Sequence, residues 1–262
     1  MDGQLTVTGM VLSAMPVGEY DKRVVLLTAE YGRISAFARS ARKPTSHLLG
    51  ATNPFAFGNF ELYEGRTSYT IRRAEIINAF PEVYSDLTLS FYGSYFLEIA
   101  EHYGQENLDE RERLILLYQT MRALCSRRFS LRLIRSIYEL KTMMLAGEPP
   151  NVSECMICKK TENLEFFSIG KRGTVCRSCA QQAAGAEPLS PAALYAFRFV
   201  IGTEVARVYT FELSPETEKQ FCSLVSRYRK AWFHHRYRSE EFLAIAGENL
   251  ENSGGREYNT TD

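Results

Sequence analysis

Cys155-Met156-Ile157-Cys158, then seventeen residues, then Cys176-Arg177-Ser178-Cys179, is the most specific chemical statement in the chain. A Cys-x-x-Cys pair can close a tight turn that points both sulfurs at one ion. Two such pairs at this separation match a four-cysteine zinc site. The set supplies four soft thiolates, the tetrahedral donor set that zinc favours. Lys159, Lys160, Lys171, Arg172 and Arg177 lie around the cysteines, and their charge is expected to help keep thiolates ionised. Two disulfides are the alternative use of the same residues. Nothing else in the chain suggests an oxidising compartment, which favours zinc. Four cysteines leave no position for a catalytic water, so the expected cofactor is one structural Zn2+. It would stabilise a segment too short to build its own core.

Outward from the cysteines, the apolar period is helical on both sides. On the N-terminal side, Ser130 can cap a helix carrying Leu133, Ile134, Ile137, Tyr138 and Met144, closed by Gly147 and Pro149-Pro150. Asp109 can cap another with Leu114, Leu117, Tyr118, Met121 and Cys125. Ser85 or Asp86 can cap a third with Leu89, Tyr92, Phe96 and Ile99, ending at Gly104. On the C-terminal side, Ser190-Pro191 and Ser214-Pro215 are strong helix starts, with Ser at the cap and Pro at the first helical position. The second of these helices places Phe221, Leu224, Val225, Tyr228 and Trp232 on one stripe, read as core. Amphipathic helices with short connections should pack as a bundle.

Residues 1–80 read differently. Leu5, Val7 and Val11 alternate with polar or small residues, and Val24 to Thr28 is a β-branched and aliphatic run. Tyr31-Gly32 makes a turn before Ile34 and Phe37. Pro54 to Tyr63 is rich in Phe, and Glu64-Gly65-Arg66 can close a hairpin onto Thr67 to Ile71. About five short strands in so few residues fit an OB-type barrel, a fold that commonly holds single-stranded nucleic acid. The expected class is α+β multidomain: an N-terminal OB-fold β-barrel, then an α-helical domain with an inserted four-cysteine zinc-ribbon-like module. The expected boundaries are 1–80 for the barrel, 81–150 and 188–246 for the two parts of the helical domain, 151–187 for the zinc module, and 247–262 for a disordered tail.

The 262 residues are 45% hydrophobic, and 31 Lys and Arg balance 31 Asp and Glu, so no bulk basicity announces a nucleic-acid partner. The charges are segregated instead. Arg33, Arg39, Arg42 and Lys43 lie in a stretch without acids that runs to Asn59, and Ala38 to Pro44 reads as a loop offering cations to phosphates. A solvated loop is an equally good reading on charge alone. Phe55, Phe57, Phe60, Tyr63 and Tyr69 could stack on bases, but strand spacing makes most of them core. Arg113 to Tyr138 holds Arg122, Arg127, Arg128, Arg132 and Arg135 and no acid. Arg122, Arg127 and Arg128 suit a helix C-terminus, and the whole face suits an acidic peptide or a phosphate backbone. Arg227, Arg229, Lys230, His234, His235, Arg236 and Arg238 form a second candidate phosphate-contacting run.

Cys125 and Cys222 sit among apolar residues and read as buried thiols. Asp2 and the lack of a long apolar run argue against a signal peptide, and no stretch approaches the roughly 20 apolar residues that span a bilayer. The expected location is cytoplasmic, with no membrane partner. No phosphate-loop glycine pattern, dinucleotide fingerprint or His-Glu-x-x-His occurs, so no enzyme is expected.

The order of parts resembles the RecO family of bacterial DNA repair proteins over nearly the whole chain. The residues that carry the resemblance are Ala41-Arg42-Lys43-Pro44, Pro54-Phe55 through Glu61-Leu62-Tyr63, Tyr69 followed by Ala74-Glu75, and the block from Trp232 to Arg238. The two Cys-x-x-Cys pairs after Pro149-Pro150 match the zinc-carrying members. The resemblance implies a non-enzymatic recombination mediator that binds single- and double-stranded DNA and anneals complementary strands. With RecR, and in many bacteria RecF, such proteins help load RecA onto DNA coated by the single-stranded DNA-binding protein, whose acidic C-terminal tail they bind. It implies DNA contacts at Arg39, Arg42 and Lys43, tail contacts within Arg127, Arg128, Arg132 and Arg135, and a nucleoid-associated location. The rival reading is a zinc-containing protein-interaction scaffold without intrinsic DNA binding. A metal-dependent nuclease lacks its carboxylate cluster, and a transcription factor lacks a recognition-helix signature.

Overall fold

Alternating burial builds the N-terminal part. In β3 (Gly32–Ala38), Ile34, Ala36 and Ala38 turn inward while Ser35 and Phe37 turn outward, the two-residue period of a strand with one wet face. Its companions are β1 (Gln4–Val17), β2 (Asp21–Thr28), β4 (Phe57–Glu64) and β5 (Tyr69–Asn78). They form a closed barrel in the order β1-β2-β3-β5-β4, with β1 also paired to β4. The β3–β5 contact is parallel, joining Ala36 to Tyr69 and Phe37 to Thr70, and the other pairs are antiparallel. A register shift between Val11 and Ser13 bends the long β1 so that it serves both neighbours. Val7, Val24, Leu26, Ile34, Phe60, Leu62 and Ile71 fill the interior. Gly32 has φ +65°, and a Cβ there would lie 2.0 Å from the Gln105 carbonyl oxygen, so only glycine fits this turn.

This computed structural model describes residues 3–65 and 68–243. The expected tail at 247–262 and the turn residues Arg66 and Thr67 lie outside the described residues. The chain divides into two compact units. One holds the described residues up to Leu114 with those from Arg236, and the other is Ile115–His235.

The named helices that follow the barrel are α1 (Pro81–Ser85), α2 (Leu87–Tyr103), α3 (Arg111–Ser126), α4 (Leu131–Leu145), α5 (Pro191–Gly202) and α6 (Pro215–Trp232). Their starts are set by local chemistry. Asp86, not Ser85, caps α2, its Oδ1 accepting from the backbone N–H of Thr88 at 2.9 Å and Leu89 at 3.1 Å. Ser130 and Ser190 accept from Leu133 at 3.0 Å and Ala193 at 3.2 Å in the same way. The short α1 is unanticipated; buried Phe80 precedes it in the left-handed region, with Pro81 opening the turn. Between α4 and α5 the chain forms a small antiparallel sheet in the order β7 (Gly173–Val175), β6 (Phe166–Ser168), β8 (Glu187–Pro188). Phe167 stacks on Phe197 at 5.4 Å, and Phe197 meets Phe221 at 5.0 Å, which ties this sheet to α5 and α6. The α6 stripe is buried at Phe221, Leu224, Val225 and Tyr228, but Trp232 departs from the expected core and is 36% exposed.

Candidate metal centre and nucleic-acid interface

The Sγ atoms of Cys155, Cys158, Cys176 and Cys179 all lie within 4.8 Å of one another. Metal–sulfur bonds of about 2.3 Å in a tetrahedron put the sulfurs about 3.8 Å apart, so this set fits one ion. A disulfide needs about 2.05 Å. Cys158 and Cys176 stand 3.6 Å apart, and all six cysteines are free, which removes the disulfide alternative. The turns are built by the backbone. Cys155 N–H donates to the Lys160 carbonyl at 2.7 Å, the Cys155 carbonyl accepts from Lys159 N–H at 2.9 Å, and Cys179 N–H donates to the Cys176 carbonyl at 3.0 Å. Lys159 takes φ +65° to complete the first turn. Leu164, Val175 and Ala183 pack around the sulfurs.

The field at the thiols does not come from the neighbouring cations as expected. Lys159 is paired with Glu154 at 2.9 Å and Arg177 with Glu165 at 2.7 Å, which largely cancels their charge. Burial pushes the Cys155 thiol up, but hydrogen bonds from the backbone N–H groups of Cys158, Cys176 and Ile157 outweigh it and bring the pKa down to about 6. Burial, then the side chains of Cys176 and Cys158, push Cys179 up to about 12. Four crowded sulfurs cannot all ionise without a cation, and a bound metal ion would supply that charge. With all four positions taken by protein sulfur, such a site holds structure rather than reacts.

On the barrel, the basic loop is positioned by its own apolar residue. Ala41 is fully buried in the barrel core, and Arg39, Arg42 and Lys43 on either side of it are exposed. Ser40 adopts φ +54°, and its N–H donates to Asp21 Oδ1 at 2.7 Å. The Arg42 guanidinium donates to the Glu19 carbonyl at 3.0 Å, and the Lys43 ammonium lies 5.0 Å from the centre of the Tyr20 ring. The loop is thereby fastened to the β1–β2 turn. Lys22 is spent on structure, donating to Leu49 O, Thr52 Oγ1 and Asn53 Oδ1. Arg33 is also spent, donating to the Glu101 carbonyl at 2.8 Å and pairing with Glu106 at 3.2 Å.

Sequence reasoning missed a row of outward residues that strand register brings together. Arg23, Phe37 and Thr70 are direct partners across β2, β3 and β5, and Thr70 faces Tyr63 on β4. Phe37 is 37% exposed and Tyr63 43% exposed. Arg39, His47, Tyr63 and Arg72 line a cleft of about 500 Å³, with the Arg72 guanidinium 5.4 Å from the Tyr63 ring centre. Phe55 and Phe60 are buried, as strand spacing indicated. The signal for Phe37 was its odd position between inward Ala36 and Ala38, which a search for basic runs passes over.

The other predicted residues are dispersed. Arg227, Arg229 and Lys230 belong to α6, whereas Arg236 and Arg238 belong to the other compact unit. Arg229 is 6% exposed, with Nε 3.2 Å from Glu139 Oε1, so it is a packing residue and not a surface cation. Arg227 is paired with Glu187 at 2.6 Å, and Lys230, Arg236 and Arg238 are exposed. Among the helical arginines, Arg127, Arg128 and Arg132 are exposed, while Arg135 pairs with buried Glu139 at 2.8 Å. Arg128 pairs with Glu212 at 2.9 Å and lies 5.5 Å from the Phe129 ring centre. Arg127 ends α3 in the left-handed region at φ +54°.

Family comparison covers nearly the whole chain. The family described as Recombination protein O N terminal matches residues 1–80, and Recombination protein O C terminal matches residues 84–240. A DNA repair protein RecO of Thermoanaerobacter sp. (strain X514) is 27% identical over 248 residues, covering 95% of this chain and 98% of its own. One from Bacillus pumilus (strain SAFR-032) is 28% identical over 235 residues, covering 90% and 91%. One from Alkaliphilus metalliredigens (strain QYMF) is 31% identical over 172 residues, covering 65% and 70%. With both terminal family descriptions matched in order and relatives aligned nearly end to end, the chain belongs to the RecO family of DNA repair proteins.

Proposed function

We propose that this protein is a recombination mediator that binds DNA through its barrel and anneals complementary strands without bond chemistry. The observation that carries the reading is the outward barrel row, in which Phe37 and Tyr63 stand among Arg23, Arg39 and Arg72. Exposed aromatics offer stacking platforms, and the arginines track the phosphates. Arg39, Arg42 and Lys43 extend the same cationic edge. Two strands repel through their phosphates; a surface that neutralises part of that charge lowers the barrier to encounter, and base pairing then drives the reaction.

Within this reading, the protein acts with RecR to help load RecA onto single strands coated by the single-stranded DNA-binding protein. The acidic tail of that coating protein docks on Arg127, Arg128 and Arg132, concentrating the mediator where single strands are exposed. Arg227, Lys230, Arg236 and Arg238 add weaker phosphate contacts. Zinc is the metal of the four-cysteine site, because soft thiolates in a closed tetrahedron suit it. The location that fits is the cytoplasm, at the nucleoid.

The test is fluorescence anisotropy of labelled oligonucleotides across a salt series. Replacing Arg39 and Arg72 with Ala should weaken binding and lower the slope of log affinity against log salt by about 0.7 for each single-strand phosphate that is no longer neutralised. Phe37→Ala should weaken single-strand binding while leaving the slope intact. An unchanged affinity in all three variants removes the barrel face. No DNA complex at physiological salt moves the protein to an interaction scaffold.

A further inference from the structure

We propose that Trp232, with Lys171 and Arg172 of the β6–β7 turn, is a second nucleic-acid site that stacks one unpaired base of a single strand; this rests on the DNA-binding reading above. Trp232 is the only tryptophan in the chain. It falls on the buried stripe of α6, yet at 36% exposure it faces solvent. Its one polar atom is already used, since Nε1 donates to the Ile169 carbonyl at 2.9 Å. That bond fixes the ring, and the π surface is what the indole still has to offer a ligand.

The neighbouring turn is arranged around that ring. The Arg172 guanidinium lies 4.6 Å from the indole centre. Arg172 sits at φ +59°, a conformation an arginine rarely adopts. It is held there by Glu148, at 2.8 Å from Nη2, and by the Tyr228 hydroxyl, at 3.4 Å from Nε. Lys171, beside it at the tip, is exposed and has no ion-pair partner among the described residues. A pre-set aromatic ring, with an exposed lysine on the turn that packs against it, suits a base and its phosphate. Stacking tolerates any base, because every base has a π face, and it requires an unpaired one. Lys219 is exposed on α6 thirteen residues before Trp232, about 20 Å along the helix, which makes it an internal control.

The experiment titrates the full chain with oligothymidylate at low salt, reading tryptophan emission and, with a labelled oligonucleotide, anisotropy. The site predicts that emission is quenched in step with anisotropy. Blunt duplex at the same occupancy should leave emission unchanged. Lys171→Glu should shift the quenching midpoint to higher oligonucleotide concentration, and Lys219→Ala should leave it unchanged. Trp232→Ala should weaken single-strand binding about fivefold or more, the effect of losing one stacking platform, with blunt-duplex binding unchanged. Trp232→Phe, which keeps a ring, should retain most of the affinity. Saturating anisotropy with unquenched emission overturns this site and leaves the barrel reading standing. Equal quenching by blunt duplex also overturns it, and absence of any DNA complex overturns both.

Discussion

Glu139 joins two cations inside the helical unit. Its carboxylate accepts from Arg135 Nε at 2.8 Å and lies 3.2 Å from Arg229 Nε, with Glu139 and Arg229 both buried. Removing one member of a buried charged set leaves its partner uncompensated, which costs about 3–5 kcal/mol. Glu139→Gln should therefore lower the unfolding free energy by an amount in that range, read by chemical denaturation. Arg229→Ala should likewise destabilise without changing the salt slope of DNA binding. A reduced slope with intact stability would return Arg229 to the DNA surface. The sequence shows Arg229 in a run of cations, and that run misleads. The better guide is the helical wheel: Arg229 is four residues past Val225 and eight past Phe221, on the buried stripe. What no wheel shows is the acid waiting on α4. Gly32 makes a complementary case on the barrel. Gly32→Ala meets both a left-handed φ and the Gln105 carbonyl, so it should destabilise markedly more than Gly50→Ala, whose Cβ meets nothing within 4 Å.

At the scale of elements, what is local was legible. Asp86, Ser130 and Ser190 announce their helices because capping is decided within three residues. Asp86→Ala should cost about 1 kcal/mol, measured by thermal or chemical unfolding. The two Cys-x-x-Cys turns were legible for the same reason. A metal bound by the four cysteines should hold β6, β7 and β8 in place, since so small a sheet has little core of its own. Chelation, or Cys155→Ser, should release that sheet, break the Trp232–Ile169 hydrogen bond and shift tryptophan emission to the red. Unchanged emission after complete metal removal would contradict a structural role. Illegible were α1, too short to show a period, and the exposure of Trp232, which depends on where the β6–β7 turn lands. The parallel β3–β5 contact, only two register pairs long, was equally hidden because its partners are more than thirty residues apart.

At the scale of the molecule, two acid-poor basic runs look alike in sequence and come out differently in space. The first keeps Arg39, Arg42 and Lys43 exposed, because Ala41 anchors their loop in the barrel, and loses only Arg33 to Glu101 and Glu106. The second is divided: Arg229 is buried, Arg227 is paired, and Arg236 and Arg238 belong to the other compact unit. Among the described residues no helix is long and apolar enough to cross a membrane. The barrel class was readable from strand count and spacing, whereas the row of Phe37, Thr70 and Tyr63 depends on closure and register. The most direct test of the mediator reading is annealing of complementary oligonucleotides coated with the cognate single-stranded DNA-binding protein, with and without this protein. The account predicts faster annealing by the intact chain and a loss of stimulation in Phe37→Ala combined with Arg39→Ala and Arg72→Ala. Folded, metal-loaded protein that leaves the annealing rate unchanged would contradict it.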